Sequence, residues 1–441
     1  MENNTDNIFC IRLFDFLSSS SLSYCVLRNY QNLPENTGGS DLDIWVSEED
    51  YDSFMKLLGE ASEWAECPLV SYIPDNHCPK LCFMGLGCGI QIDVFKGDIY
   101  CQGRVLIPQN VILNHIEDYR GIAILNDAFA DLLAFLKEII NNGNCQEKYI
   151  DALFSHHNIY GKDYLKDNLS SFSDEFLDFF HNCIGNRATL KNSMSALSRY
   201  ARKTLGIKPS FFSKLKKVRR LLLPPGYVIA LIGTDGSGKS TIIDSITPIL
   251  NEAFHNGVEY YHLRPHWLPD IGVLLGKRDE EEGGIASNPH GAEPSGLMMS
   301  LIRWCYYLLD YSFGYFRKIW FVKHTKAHVA LFDRYYYDYY IDPHRLGVRL
   351  PKWIVRAGEC IVPKPDIILC LGGKPELIYE RKPETSFEEV KRQMAEMRLF
   401  CAYHHRAVWI DTTQTVEQSV KDAMVAIQGC MAKRFEKVVL K

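Results

Sequence analysis

Val228-Ile229-Ala230-Leu231-Ile232-Gly233-Thr234-Asp235-Gly236-Ser237-Gly238-Lys239-Ser240-Thr241 is the stretch on which the reading of this chain turns. Five apolar residues lead into a glycine, four variable positions follow, and Gly-Lys-Ser closes the run. That is the order of a buried strand, a phosphate-cradling loop and a helix start. Gly233, Gly236 and Gly238 permit a turn tight enough for successive N–H groups to point inward at a polyphosphate, with Asp235 and Ser237 completing the loop. Lys239 is placed to reach the β- and γ-phosphates and Ser240 to offer its hydroxyl to Mg²⁺. The helix that continues through Thr241 aims its positive dipole end at the same anion. ATP with Mg²⁺ is the expected ligand, GTP being read by the same loop.

Working outward, the residues after the loop alternate strand and helix signals. Val258 to Leu263 reads as a strand that delivers Arg264-Pro265. Gly276 to Ser295 is rich in Gly, Ser, Pro and acids and predicts a long loop, either unstructured or ordered over substrate as a lid. A long helix is expected from about Leu297 to Lys323. His328-Val329-Ala330-Leu331-Phe332-Asp333-Arg334-Tyr335 is an apolar strand ending in Asp-Arg. At a strand tip beside a phosphate loop, Asp333 is placed for Mg²⁺ and acceptor, and Arg334 can clamp phosphate. Pro365 to Leu371 and Ala407 to Asp411 supply two more strands, with a helix beginning Pro375-Glu376-Leu377 between them. Such alternation predicts a parallel sheet with its ligand at the carboxyl ends of the strands.

Gly233-x-Asp235-Gly-Ser-Gly-Lys-Ser-Thr, Asp333-Arg334-Tyr335, Pro375-Glu376-Leu377 and the following Arg381 resemble thymidylate kinase and its relatives among nucleoside and nucleotide kinases, over roughly residues 226 to 430. The resemblance implies that Lys239 and Ser240 hold ATP and Mg²⁺ and that Asp333 and Arg334 face the acceptor. It implies further that Arg264 meets an acceptor phosphate, that Arg381 belongs to a lid over the transferred group, and that Asp411-Thr412-Thr413 lie near adenine. Two segments depart from the family. Leu263-Arg264-Pro265-His266-Trp267 stands where Arg-Glu-Pro-Gly-Gly is usual, and a tyrosine-rich run from Tyr335 to Arg345 replaces the thymidine-side sequence. The acceptor is therefore left open. A nucleoside monophosphate such as dTMP needs clamping arginines, whereas an alcohol needs a carboxylate within reach of its hydroxyl. Arg264, Arg334 and Arg345 answer the first demand, and Asp333, Asp338 and Asp342 the second.

Nearer the N-terminus, Gly38-Gly39-Ser40-Asp41-Leu42-Asp43-Ile44-Trp45-Val46 carries the other decisive pattern. Strand residues two apart face the same way, so Asp41 and Asp43 project together, and a divalent metal is the usual remedy for their repulsion. Asp93, in Gly89-Ile90-Gln91-Ile92-Asp93-Val94-Phe95, adds a third carboxylate from a neighbouring strand. Together they suggest a two-metal site for phosphoryl or nucleotidyl transfer. This part resembles the nucleotidyltransferase fold, in the bacterial branch where Arg28-Asn29-Tyr30 precedes Gly-Ser-Asp-hydrophobic-Asp. One departure is that Gly39-Ser40 abuts Asp41, whereas the family usually places its Gly-Ser about ten residues earlier. His77, Cys78, Cys82 and Cys88 lack paired zinc spacing and read as buried strand positions. From Asp127 to Arg202 the apolar period is helical.

The fold class expected is thus α/β, with a parallel P-loop NTPase sheet of nucleotide-kinase type after an α+β nucleotidyltransferase-like domain and its helical lobe. At 441 residues, two or three domains are expected. The boundaries read as 1–120 for the nucleotidyltransferase-like core, 121–205 for the helical lobe, 206–225 for a basic linker and 226–441 for the kinase-like domain. A net charge of −5 gives no case for nucleic acid. Between Asp178 and Asp235 the chain is basic and free of acids, so residues 199–220 could rest on an anionic membrane surface or serve as a solvated linker. No signal peptide is read at the start, and Arg303, Asp310, Arg317 and Lys318 interrupt the most apolar stretch, Leu301 to Val322. Fourteen scattered cysteines fit reduced thiols and a cytoplasmic location. The aromatic helix 301–322 is a candidate homodimer face. Transfer of the ATP γ-phosphoryl group to a small acceptor is the expected activity. The rival readings are nucleotidyl transfer at Asp41, Asp43 and Asp93, and a nucleotide-sensing module without turnover.

Overall fold

The computed structural model describes residues 6–207, 219–271 and 296–438. Two sheets organise them. In the C-terminal part, β10 (Tyr227–Gly233), β11 (Val258–His262), β12 (Val329–Asp333), β13 (Ile367–Gly372) and β14 (Ala407–Asp411) form a five-stranded sheet in the order β11-β12-β10-β13-β14. Every pairing in it is parallel. β10 is buried along its whole length because helices cover both faces, which is why its sequence is continuously apolar. The two-residue period still sorts its side chains. Val228, Ala230 and Ile232 face a core with Tyr311, Tyr335 and Tyr336. Tyr227, Ile229 and Leu231 face the helices Lys239–Ala253 and Val416–Phe435.

The N-terminal part is a mixed seven-stranded sheet of order β3-β4-β5-β2-β1-β9-β8. Its strands are β1 (Tyr24–Val26), β2 (Leu42–Val46), β3 (Leu69–Ile73), β4 (Lys80–Met84), β5 (Gly89–Lys96), β8 (Ile116–Tyr119) and β9 (Ile122–Leu125), while β6 (Ile99–Cys101) and β7 (Arg104–Ile107) pair separately. The helices behind this sheet begin at Asp127, where Asn126 caps the first turn by accepting from Phe129 N at 3.2 Å. Residues 122–125, expected within the helical lobe, belong to the sheet instead. Their short apolar run pairs with β1 and β8.

The two parts share one core. Val70, Cys82 and Met84 of the N-terminal sheet lie in the same apolar cluster as Tyr227, Ile246, Met424 and Ile427. Helices Lys239–Ala253 and Val416–Phe435 fill the space between the sheets. Tyr227 spans it, its hydroxyl donating to Val70 O at 2.6 Å and Met431 O at 3.0 Å. At Gly89 the approach is closest: an added Cβ would meet Ile249 O at 2.5 Å and Ala253 N at 2.6 Å, both backbone atoms of the helix that follows the glycine-rich loop. Gly89→Ala is therefore expected to destabilise the protein by about 1–3 kcal/mol, read as a lowered urea midpoint at unchanged slope. An unchanged midpoint would mean that the contact gives way freely.

The long helix from Leu297 is α-helical to Leu309 and then widens into π-helical segments, Asp310–Ile319 and Val322–Lys326, which its sequence does not announce. Met298, Ile302, Leu309, Phe313, Phe316 and Phe321 form an exposed apolar stripe along it. No helix among the described residues is long and apolar enough to cross a membrane, and all fourteen cysteines are free. The loop expected over 276–295 and most of the basic linker, with Lys208, Lys214, Lys216 and Lys217, lie outside the described residues. Of the described basic residues there, Arg202 donates to Ile140 O at 2.7 Å and Arg220 to Thr325 O at 3.0 Å, so both are spent on this chain's own backbone.

Candidate functional site

β10 ends at Gly233, and the loop turns back through Gly236 (φ +79°) and Gly238 (φ +78°) to start a helix at Lys239. Both glycines sit in the left-handed region that side chains disfavour. Gly236 also has no room for a Cβ, which would meet Ile378 O at 2.7 Å. The Lys239 ammonium folds back over the loop and donates to Gly233 O and Thr234 O, each at 2.9 Å. Two buried hydroxyls of the loop, Thr234 Oγ1 and Ser237 Oγ, have no partner within the protein.

A cavity of about 540 Å³ opens over the loop, lined by Asp235, Lys239, Ser240 and Thr241 on one side, Asp333 on another, and Arg381 with Thr412 beyond. Asp333 is the last residue of β12 and pairs in register with His262, the last of β11. Its Oδ2 accepts from the Tyr260 hydroxyl at 3.3 Å and lies 3.5 Å from His262 Nδ1. Its Oδ1 is buried without a partner, as a carboxylate oxygen meant for a cation or a donor on a ligand would be. Ser240 and Asp333 thus present a hydroxyl and a carboxylate across one cavity, a donor set that fits Mg²⁺. Tyr260 and His262 were missed in the sequence, although the strand-tip argument applied to Asp333 holds equally for the neighbouring tip. Lys382, Val416 and Ser419 also line the cavity and carry no sequence signal. Arg381 reaches it, but its Nη1 donates to Thr412 O at 2.9 Å. That bond ties one of its nitrogens to the residue after β14.

The remaining expected acceptor residues are placed differently. Arg334, in a left-handed backbone conformation (φ +70°), donates to Asp338 at 2.7 Å and to Asp235 at 2.8 Å. Arg345 is hydrogen-bonded to Asp235 and lies 3.4 Å from Asp342. Asp338 and Asp342 are thus buried members of an ion network that braces the glycine-rich loop through Asp235, and they do not line the cavity. Arg264 is also corrected. Only 2% exposed, it donates to Asp310 Oδ2 at 2.6 Å, to Leu268 O at 2.8 Å and to Asp270, and Tyr307 covers its face. Its Nη groups hold the chain after β11, and its charge is already met by two carboxylates.

This charge pattern sets the ionisation of the loop. Burial alone would raise the carboxyl of Asp235, but Arg334, Lys239 and Arg345 outweigh it and bring it down to about 2. Burial raises Asp338 despite the guanidinium of Arg334. For Lys239, burial and the nearby Arg334 lower the ammonium to about 7. A polyphosphate beside it restores the positive charge, so above pH 7 binding takes up a proton. The affinity of any polyphosphate bound there is expected to fall as the pH rises from 7 to 9, by up to about tenfold per unit. Calorimetry in buffers of different ionisation heat reads that uptake directly, and its absence at pH 8 would refute the assignment.

The second cluster lies on the N-terminal sheet. Asp43 on β2 and Asp93 on β5 are in register, and Asp41 stands one residue before β2, just outside the strand to which the period-two argument assigned it. Ligand oxygens of all three lie within 4.8 Å of one another, the one such group of metal-ligating residues among those described. Asp43 is paired with Arg28, which also lies 3.5 Å from Asp41, and Asp93 is paired with Lys80. Burial raises the Asp93 carboxyl, against the pull of Lys80. Three carboxylates in this array fit a divalent cation, with Arg28 and Lys80 beside them to meet a phosphate. His255, from the turn after helix Lys239–Ala253, comes within 4.0 Å of Asp41. No family model matches the chain, and no curated protein matches it, so its assignment rests on the chemistry of these two clusters.

Proposed function

We propose that the chain is an ATP-dependent phosphotransferase whose C-terminal part is a P-loop domain of thymidylate-kinase type and whose N-terminal part is of nucleotidyltransferase type. The observation that carries this reading is the joint lining of one cavity by Lys239, Ser240 and Asp333. The backbone N–H groups of residues 234–239 cradle the phosphates, and Lys239 exchanges its two loop carbonyls for β- and γ-phosphate oxygens. Asp235, held by Arg334 and Arg345, keeps the loop in that shape before nucleotide arrives. Thr412 and Val416 line the end of the cavity where the resemblance places adenine. When bound at Ser240 and Asp333, Mg²⁺ would neutralise charge developing on the transferred group. ATP as donor implies the cytoplasm as the working compartment. The exposed stripe from Met298 to Phe321 supports a homodimer.

A second reading is favoured by one observation, the convergence of Asp41, Asp43 and Asp93 within 4.8 Å. It makes the N-terminal site a metal-dependent nucleotidyltransferase. The two separate cleanly in the full chain. Labelled γ-phosphoryl transfer lost in Lys239→Ala and kept in Asp43→Asn supports the phosphotransferase. Pyrophosphate release with the opposite dependence supports the second reading, and ATP binding with neither reaction would leave a nucleotide sensor.

A further inference from the structure

Resting on the phosphotransferase reading, we infer that the acceptor is an uncharged hydroxyl compound, a sugar or nucleoside, rather than a nucleoside monophosphate. A phosphate dianion is recognised by guanidinium groups with donors and net charge to spare. On the acceptor side of the loop each of the three arginines already bridges two carboxylates. Arg264 holds Asp270 and Asp310, Arg334 holds Asp235 and Asp338, and Arg345 holds Asp235 and Asp342. Arg264 and Arg334 are 2% and 3% exposed, so neither can turn outward without stranding buried carboxylates. The cations that line the cavity itself, Lys239, Arg381 and Lys382, stand around the donor phosphates. Among the described residues, Asp235, Asp270, Asp310, Asp333, Asp338 and Asp342 thus outnumber the three acceptor-side arginines, and a dianion on that side of the loop, beside the ATP γ-phosphate, would be repelled.

A hydroxyl meets what that place does offer. Asp333 Oδ1 is a buried acceptor lacking a donor. The Tyr260 hydroxyl, on a half-exposed side chain at the next strand, and His262 flank the other carboxylate oxygen. With Mg²⁺ on one oxygen of Asp333, an alcohol can give its hydrogen bond to the other, beside Tyr260 and His262, while its own oxygen points at the γ-phosphorus. In the transfer, a bond forms between the alcohol oxygen and the γ-phosphorus as the bond from that phosphorus to the β-phosphate bridging oxygen breaks. ADP leaves, a phosphate monoester remains, and the hydroxyl proton is released to solvent. Asp333 orients the alcohol throughout.

The test uses the full chain with Mg²⁺ and γ-labelled ATP against thymidine, glucose, galactose and mannose on one side and thymidylate and AMP on the other. Labelled product from at least one neutral compound, formed at least tenfold faster than from either monophosphate and lost in Lys239→Ala, is the expected result. Lys239-dependent transfer that is faster to thymidylate or AMP would overturn the acceptor class and leave the phosphotransferase standing. Absence of Lys239-dependent transfer to every compound would overturn both.

Discussion

Lys239→Ala is expected to lower γ-phosphoryl transfer by about 10²–10³-fold, the loss typical when one preorganised charge is removed from a transition state. The side chain is the only described lysine that both lines the large cavity and caps the turn of the glycine-rich loop through two 2.9 Å hydrogen bonds to its carbonyls. Those bonds hold the ammonium where phosphate oxygens arrive. A loss of activity of that size is informative only if the fold survives, and here the linkage has a definite sign. The folded-state value of Lys239, about 7, lies below its unfolded value. Between the two the unfolded chain binds more protons, so the lysine costs stability as the pH falls from its unfolded value toward 7. Its removal should leave the unliganded protein at least as stable as the parent at pH 7.5. Thermal unfolding with and without ATP checks this. The variant should keep its midpoint and lose the upward shift that ATP gives the parent. A lower midpoint without ATP would mean that the loop depends on Lys239 to fold.

Asp310→Ala should be the most damaging single change to stability, about 3–5 kcal/mol, as expected when one partner of a buried ion pair is deleted. Asp310 is fully buried and accepts three hydrogen bonds, from Arg264 Nη1 at 2.6 Å on one oxygen and from the amides of Trp267 at 2.8 Å and Leu268 at 2.9 Å on the other, while Asp270 shares the same guanidinium as a second counter-charge. Alanine leaves Arg264 underpaired and two amides unsatisfied. Asp310→Asn retains an acceptor for the amides but turns an NH2 donor toward Arg264 in place of a carboxylate oxygen, so it should fall between parent and alanine. Guanidinium unfolding of the three proteins orders them. A loss below 1 kcal/mol in Asp310→Ala would show that Asp270 alone neutralises the guanidinium.

The same residues show what can be read from sequence and what cannot. The strand, loop and helix from Val228 to Thr241 were legible because each part is fixed by local chemistry: apolar burial, glycine conformations and a helix start. The convergence of Asp43 with Asp93 was legible in outline because each sits within its own short apolar strand, and neighbouring strands bring such residues together. Arg264 misled because its decisive partner, Asp310, lies 46 residues away on another element, and local sequence records no such pairing. Asp338 and Asp342 look like acceptor-site acids beside Arg334 and Arg345 in the chain, yet Asp235, about a hundred residues earlier, draws both arginines inward and the acids with them. The π-helical stretch after Leu309 shares its apolar spacing with an ordinary helix, so nothing in the residues distinguishes it.

The core common to the two sheets joins the N-terminal and C-terminal parts through side chains as well as through the backbone. Tyr227 by itself bonds Val70 in one part and Met431 in the other. Two fragments made from the chain would each expose one side of that cluster, the Val70, Cys82 and Met84 face or the helix surfaces that cover it, so they are expected to bind each other when mixed, which co-purification would check.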